Sequence, residues 1–262
     1  MRILVLIKQV PDTTDVKIDP ETNTLKREGV ESIINPFDMY AIEEAIRVRE
    51  TLGQGEVVVI SMGPPQTEEA LREAISMGCD RAVLISDRKF AGSDTWATSY
   101  TLSQAIRKIG DYKIIFCGKQ ASDGDTAQVG PGVSMHLDIP QVTYVKKIEK
   151  IDTAGATVER MTEEGYDIIE VPIPAVLTVV KEINEPRLPS LKGKMRAQKA
   201  GIQVWTADDV ACDENKIGLD GSPTRVVKIF TPPPREGGRV LEGEPEQTSR
   251  ELAELIKDVI TG

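Results

Sequence analysis

Four short apolar runs with β-branched residues recur through the first half of the chain, at 3–7, 57–60, 82–85 and 114–117. Each is rich in Ile, Val and Leu and has the length of a strand buried on both faces. Helix-length stretches lie between them. Residues 38–52 bring Tyr40, Ala41, Ala45 and Val48 to one side, and 67–77 do the same with Ala70, Leu71, Ala74 and Ile75. That is the spacing of helices packed on a sheet. Strand alternating with helix predicts a parallel sheet joined by right-handed crossovers. Aromatic residues make up only 4% of the chain, so the core must be filled mainly by aliphatic side chains, as in sheets covered on both faces. The expected fold class is α/β with a mostly parallel sheet.

The rhythm then breaks. Residues 16–27 alternate and turn around Pro20 and Asn23, which reads as a hairpin inserted after the first strand. From Gln141 onward, strand-like runs at 142–148, 157–161, 166–171 and 175–180 follow with no helix between them, and they are expected to form an antiparallel addition to the sheet. Past Lys181 the chain turns irregular and polar, with Pro186, Pro189, the basic series Lys192, Lys194, Arg196 and Lys199, and later Pro232, Pro233 and Pro234. Such a composition buries little of itself. An amphipathic helix at 246–260 follows, with Leu252, Leu255, Ile256 and Val259 on one face. That face either docks onto another subunit or folds back on its own domain, and pattern alone favours neither. The expected division is an α/β domain at 1–190 and an extended C-terminal arm with its helix at 191–262.

Charge and motif content narrow the function. Asp and Glu outnumber Lys and Arg by 42 to 32, a formal charge of −10, which argues against a phosphate-backbone binding surface and hence against nucleic acid. No apolar run approaches the roughly 20 residues of a membrane span. Lys8 cuts the first apolar run short, so the N-terminus reads as a buried strand rather than a signal peptide. Cys79, Cys117 and Cys212 lack the spacing of zinc or iron–sulfur ligands and suit a reducing cytoplasm. The single histidine, His136, sits in a helix with no nucleophile motif around it and is expected to be structural. There is no GxSxG elbow, HExxH or EF-hand loop. Reactivity, if present, has to come from a bound cofactor.

The strongest local signal is the glycine-rich segment 118–130, directly after the fourth apolar run and opening a helix to about Leu137. Ligands in open α/β sheets bind at this carboxyl edge. Gly118 and Gly124 permit close backbone approach, Asp125 or Thr126 is expected to cap the helix, and its first N–H groups would face a phosphate. The segment is neither a Walker A loop nor a GxGxxG fingerprint. Asp123 and Asp125 can also be read as a magnesium pair, although turn and cap roles weigh more. Three further polar loops, 61–65, 86–99 and Asn35-Pro36-Phe37-Asp38 with Asp38 as the expected cap, fall at helix starts. Their convergence predicts a nucleotide crevice.

Several of these segments occur together, in order, in a known family: Val5 to Asp12, Asn35 to Asp38, Met62 to Pro64, Gly78 to Asp80, the 118–132 segment, and the strand pair 158–165 and 173–178. Over nearly its whole length the chain resembles the β (small) subunits of electron-transferring flavoproteins. The resemblance implies a sheet of the adenine-nucleotide-binding type and a larger α subunit carrying a redox FAD, with Phe37 near that flavin. It also implies a β-subunit crevice at Leu6, Lys8, Asn35, Pro36, Phe37, Asp38, Met62 and Gly63. The crevice continues through Gly118, Lys119, Gln120, Asp123, Gly124, Asp125, Thr126, Ala127, Gln128 and Val129. In simple members it holds AMP, and in electron-bifurcating members a second FAD.

The chain is more similar to the bifurcating branch, through Val10-Pro11-Asp12-Thr13, Met62-Gly63-Pro64-Pro65 and the run from Ser86 to Ser99, and that resemblance implies that Asp94, Thr95 and Thr98 approach the extra flavin. Mammalian-type members have a tyrosine near the position of Thr13 and no match to that run. The implied role is a cytoplasmic heterodimer subunit. Its FAD takes hydride from NADH and sends one electron to ferredoxin or flavodoxin, the other through the α-subunit FAD to a flavin-dependent dehydrogenase. The alternative is a non-bifurcating carrier with structural AMP. Residues 184–191 resemble the family's recognition loop, with Leu188 and Leu191 as candidate anchors for the dehydrogenase, and the arm at 191–262 is expected to dock on the α subunit. A solitary ATP-binding signalling module would leave the strand pair and this loop unexplained.

Overall fold

The computed structural model describes residues 1–12, 32–227, 238 and 240–261. The hairpin expected at 16–27, Thr13 before it, Pro232 to Pro234 and the side chain of Val259 lie outside the described residues. The strands are β1 (Arg2–Leu6), β2 (Gln9–Pro11), β3 (Ser32–Ile34), β4 (Glu56–Met62), β5 (Arg81–Ile85), β6 (Tyr112–Gly118), β7 (Gln141–Ile151), β8 (Gly155–Met161), β9 (Tyr166–Pro172), β10 (Ala175–Val179) and β11 (Gln203–Trp205). The helices are α1 (Pro36–Leu52), α2 (Glu68–Met77), α3 (Thr95–Ile109), α4 (Val129–Leu137), α5 (Leu191–Lys199) and α6 (Pro245–Thr261). Among the described residues, nine strands form one sheet in the order β11-β5-β4-β1-β6-β10-β7-β8-β9, and β2 pairs antiparallel with β3 apart from it. The α/β class with a mostly parallel sheet is as expected.

Period-two alternation divides the core into two layers. Ile3, Val5, Val57, Val59, Leu84 and Phe116 face α1 and α2, where they meet Ile42, Ile46, Leu71 and Ile75. Leu4, Leu6, Val58, Ile60, Ile85 and Ile115 face the other way, against Tyr100, Ile106 and Val133 of α3 and α4. Both sets are buried, which is why these strands read as unbroken aliphatic runs.

Two expectations are corrected. The runs after Gln141 are not a simple antiparallel addition, because β10 lies between β6 and β7 and is parallel to both. Among the described residues, the antiparallel addition to the large sheet is made by β8, which pairs antiparallel with both β7 and β9. Every residue of β10 is buried, so it belongs in the interior of a covered sheet, where both of its edges are hydrogen-bonded.

The chain past Lys181 is also more ordered than expected. α5 lies on α2, where the Arg196 guanidinium donates to the Ile75 and Cys79 carbonyls at 2.7 Å and Arg72 donates to the Ala197 carbonyl at 2.6 Å. β11 then pairs with β5 and covers that sheet edge, and Ala207, Val210 and Ile217 enter the core. The polar composition concealed this because arginine guanidinium groups, not apolar stripes, hold α5 in place.

α4 approaches its neighbours through two glycines. A Cβ on Gly130 would lie 2.7 Å from Thr178 Cγ2 and 2.8 Å from Cys117 Sγ, and one on Gly132 would lie 2.5 Å from Ser99 Oγ. Gly132→Ala should lower the unfolding free energy by about 1–3 kcal/mol through overpacking, outweighing the roughly 1 kcal/mol that Ala gains over Gly in a helix. Urea denaturation monitored by circular dichroism reads this directly, and unchanged stability would show slack between α3 and α4.

Candidate functional site

The sheet order divides at β1. The chain passes from β1 to β4 and β5 on one side, then crosses back to β6 on the other. The region above the ends of β1 and β6 is therefore a topological switch point, where open α/β sheets bind ligands. Loops 35–38, 62–67, 86–94 and 118–128 all leave or enter elements at this edge.

Asp38 joins the two strand ends. The Lys8 N–H donates to Asp38 Oδ2 at 2.7 Å and the Gly118 N–H donates to Oδ1 at 3.0 Å. The expectation that Asp38 caps α1 is therefore corrected: Asn35 is the N-cap residue, Pro36 begins the helix, and the Asp38 carboxylate turns inward. The approach requires glycine at 118, since a Cβ there would lie 2.5 Å from Asp38 Oδ1 and 2.6 Å from Phe37 Cβ. Burial pushes the Asp38 carboxyl up to about 7, against the opposing pull of hydrogen bonds from Lys8, Asn35 and Gly118 and of the Lys8 charge.

Asn35 holds the glycine-rich loop. Its Nδ2 donates to the Gln120 carbonyl at 2.9 Å, and its Oδ1 accepts from the Ser122 N–H at 3.0 Å. Above this, Lys8 Nζ lies 2.6 Å from Asp123 Oδ1, and Gln120 Nε2 donates to Asp125 Oδ1. The cap expected from Asp125 or Thr126 is absent: α4 begins only at Val129, after Gln128, which makes no side-chain cap. Asp125 and Ala127 instead adopt left-handed backbone, with φ of 53° and 54°, conformations that cost energy for residues other than glycine. α4 thus presents an N-terminus without a side-chain cap towards the edge, a place suited to an anion.

The remaining predicted residues are distributed around this centre. Leu6 is buried in the core layer beneath this edge, and Gly63 follows Met62 with its N–H donating to the Ile85 carbonyl. Lys119 Nζ lies 5.1 Å from the Phe37 ring and 5.4 Å from that of Tyr144. Sequence reasoning missed Tyr144. It is brought there by an irregularity between β7 and β10, where its own φ is 60° and its N–H donates to Thr178 Oγ1. Nothing local in the sequence marks it.

Asp94 caps α3, and Thr95 and Thr98 lie in that helix's first turns. The Asp94 carboxylate is fully engaged: Oδ1 accepts from Trp96 and Ala97, and Oδ2 accepts from the Thr224 N–H and hydroxyl at 2.9 and 2.8 Å. Ser222 Oγ accepts from the Asp94 N–H. Thr224 and Ser222 carried no sequence signal, because the contact joins segments 130 residues apart. His136 packs edge-on to Trp96 and Tyr100.

A second feature lies on α1. Arg187 donates from Nε to Glu43 Oε2 at 2.7 Å and from Nη1 to Glu50 Oε1 at 2.8 Å, while Asn184 Nδ2 donates to the Tyr40 carbonyl and to Glu44. Burial raises the Glu43 carboxyl, but hydrogen bonds from Arg187 and Arg47 outweigh it and hold Glu43 below its usual range. The loop so anchored leaves Leu188 89% and Leu191 78% exposed. No helix among the described residues is long and apolar enough to cross a membrane, and no group of His, Cys, Asp and Glu among them is arranged to hold a metal.

Residues 22–210 match the electron transfer flavoprotein domain family. The chain is 56% identical to the electron transfer flavoprotein subunit beta of Thermoanaerobacterium thermosaccharolyticum over 98% of both chains. It is 49% identical to the caffeyl-CoA reductase-Etf complex subunit CarD of Acetobacterium woodii, over 93% of this chain and 92% of that one. It is 46% identical to the protein FixA of Sinorhizobium fredii, over 99% of this chain and 93% of that one.

Because the folded-state value for Asp38 lies above its ordinary 3.8, the native state holds the extra proton between these limits. Its contribution to stability is then fully present below about pH 4 and is lost as pH rises through about 7. The difference in unfolding free energy between wild type and Asp38→Asn should shift by about 2–4 kcal/mol across that interval, measured by urea denaturation at a series of pH values. A pH-independent difference would contradict the burial argument.

Proposed function

The chain belongs to the electron transfer flavoprotein family as a β subunit, and on that premise we propose that its crevice holds a nucleotide cofactor, FAD in an electron-bifurcating complex. The observation that carries the proposal is the clasped switch point, with Asp38 and Asn35 holding the β1 end and the 118–124 loop together below the start of α4. The residues fit such a group. The uncapped N-terminus of α4 and the Lys8 ammonium suit a diphosphate, and the Phe37 and Tyr144 rings suit a planar ring system.

When bound, a flavin would supply the hydride acceptance and single-electron transfer that none of this chain's side chains offers. NADH is the proposed hydride donor, ferredoxin or flavodoxin one electron acceptor, and a dehydrogenase reached through the α-subunit FAD the other. The similarity to a subunit of a caffeyl-CoA reductase-Etf complex supports assembly with a partner oxidoreductase. The protein's own part is positional. Asn35 and Asp38 keep the loop seated, and α3, closed by Asp94, leaves α4 as the better anion site. The second reading, a carrier with structural AMP, is favoured by the same α4 terminus, which needs only one phosphate.

We also assign partner contacts. Leu188 and Leu191 anchor the dehydrogenase, since two large apolar side chains held outward by a salt-bridged loop suit a protein interface. The C-terminal helix α6, with Leu252, Leu255 and Ile256 exposed, docks on the α subunit.

Two measurements test these assignments. Extraction of the purified αβ heterodimer should release two FAD per heterodimer, and one FAD with one AMP would reject bifurcation. Replacing Leu188 and Leu191 together by Ala should slow electron transfer to the dehydrogenase at least about tenfold with cofactor content unchanged. An unaltered rate would remove the anchor assignment.

A further inference from the structure

We infer that Asp38 is a positioning residue of the nucleotide site. Its carboxylate sets the separation of the two strand ends at the switch point, and binding of an anionic nucleotide above it is accompanied by uptake of up to one proton from solvent onto that carboxylate, in proportion to the fraction ionised in the free site. This inference rests on the nucleotide reading above and adds a residue role and a proton linkage to it.

The geometry divides the carboxylate between two strands, one oxygen serving the Lys8 N–H at the end of β1 and the other the Gly118 N–H at the end of β6. Losing either bond frees the loop on that side. The site is tightly drawn: Asp38 is 5% exposed, and glycine at 118 is required for the approach.

The charge of Asp38 is poorly compensated. Among the described residues, the charged or titratable groups facing it are the Lys8 ammonium beyond β1 and the Cys117 thiol on β6. On its own helix it meets the uncharged Asn35 amide. The Lys8 ammonium is shared with Asp123 at 2.6 Å, and the Cys117 thiol is held neutral by burial and by Asp38 itself. Among the described residues, no guanidinium or ammonium donates to the carboxylate; its backbone donors are the Lys8 and Gly118 N–H groups.

Phosphate oxygens arriving at the α4 terminus and the 118–128 loop place like charge beside a buried carboxylate, which disfavours its ionised form. The balance is simple: the carboxylate and a solvent proton become a neutral carboxyl, with no bond broken elsewhere. The neutral carboxyl still accepts both backbone N–H groups, because each oxygen keeps a lone pair, so the clasp survives while the repulsion is removed. As the bound state carries more protons than the free state, affinity is highest at low pH and falls as pH rises through the range in which free Asp38 ionises.

The test uses the αβ heterodimer stripped of its β-subunit nucleotide, with AMP and FAD titrated separately by calorimetry in buffers of different ionisation enthalpy. At about pH 7.5 the wild type should take up on the order of half a proton per nucleotide, and its dissociation constant should rise about three- to tenfold between about pH 7 and 8.5. Asp38→Asn keeps one acceptor oxygen and cannot titrate. It should bind more weakly at low pH, without this uptake and with a flat profile once the phosphate's own titration, common to both proteins, is subtracted. Equal proton uptake and equal pH dependence in wild type and variant overturn the inference.

Should the variant not fold, infrared difference spectra of the wild type decide. AMP addition should produce a protonated carboxyl band, and its absence overturns the inference. Failure of the wild type to bind either nucleotide overturns the nucleotide reading itself, an outcome distinct from binding without linked protonation.

Discussion

The approach of the start of α1 to the end of β6, with one carboxylate between two backbone donors, is the contact on which the switch point depends. Strands ending at a switch point leave N–H groups that have no partner in the sheet, and an unpaired buried donor costs about 1–3 kcal/mol. Asp38 supplies acceptors for two of them at once. A larger residue at 118 would hold the helix away, and a shorter acid-free side chain at 38 would leave both donors bare. Asn35 extends the clasp to the loop, so the helix start, two strand ends and the glycine-rich segment form one hydrogen-bonded unit.

Outside that unit, stability follows the sheet. Six parallel pairings place β10 and β1 in its interior, where aliphatic side chains on both faces leave water contact to the helices' outer sides. The two edges are treated differently. β11 covers β5 with three residues, while β8 and β9 carry the sheet outward as an antiparallel ribbon with Tyr166 and Ile168 exposed. A ribbon needs burial on one face only, which explains why its sequence alternates and that of β10 does not.

The loop at 184–191 shows how two leucines are kept in water without collapsing onto the domain. Arg187 is fixed by Glu43 and Glu50, and the Glu43 side chain is almost fully buried. A guanidinium–carboxylate pair with its acid buried contributes little net stability against an apolar alternative, but breaking it by removing one partner is costly. The ion pairs act as a geometric constraint that holds the backbone on α1 and directs Leu188 and Leu191 away from it.

Much of the fold was legible because burial on both faces writes itself into a strand as an unbroken aliphatic run, and burial on one side into a helix as a three-and-four spacing. The four runs and the helices at 38–52 and 67–77 follow from that rule, as do loops marked by Gly118, Pro36 and Pro64. The positions of the loops at the switch-point edge were legible for the same local reason. The roles within them were not: Asp38 beside a proline at a helix start looks like a cap, and only the strand end opposite makes it a clasp. Tyr144, Ser222 and Thr224 had no local mark, since their partners are remote in sequence. What the sequence determined by itself was which residues must be buried and where the chain turns. What only the tertiary structure decided was who lies beside whom, including β10 between β6 and β7, α5 on α2, and Asp38 at the switch point. Hydrogen-bond partners across long separations depend on chain closure, and no residue's own periodicity encodes that.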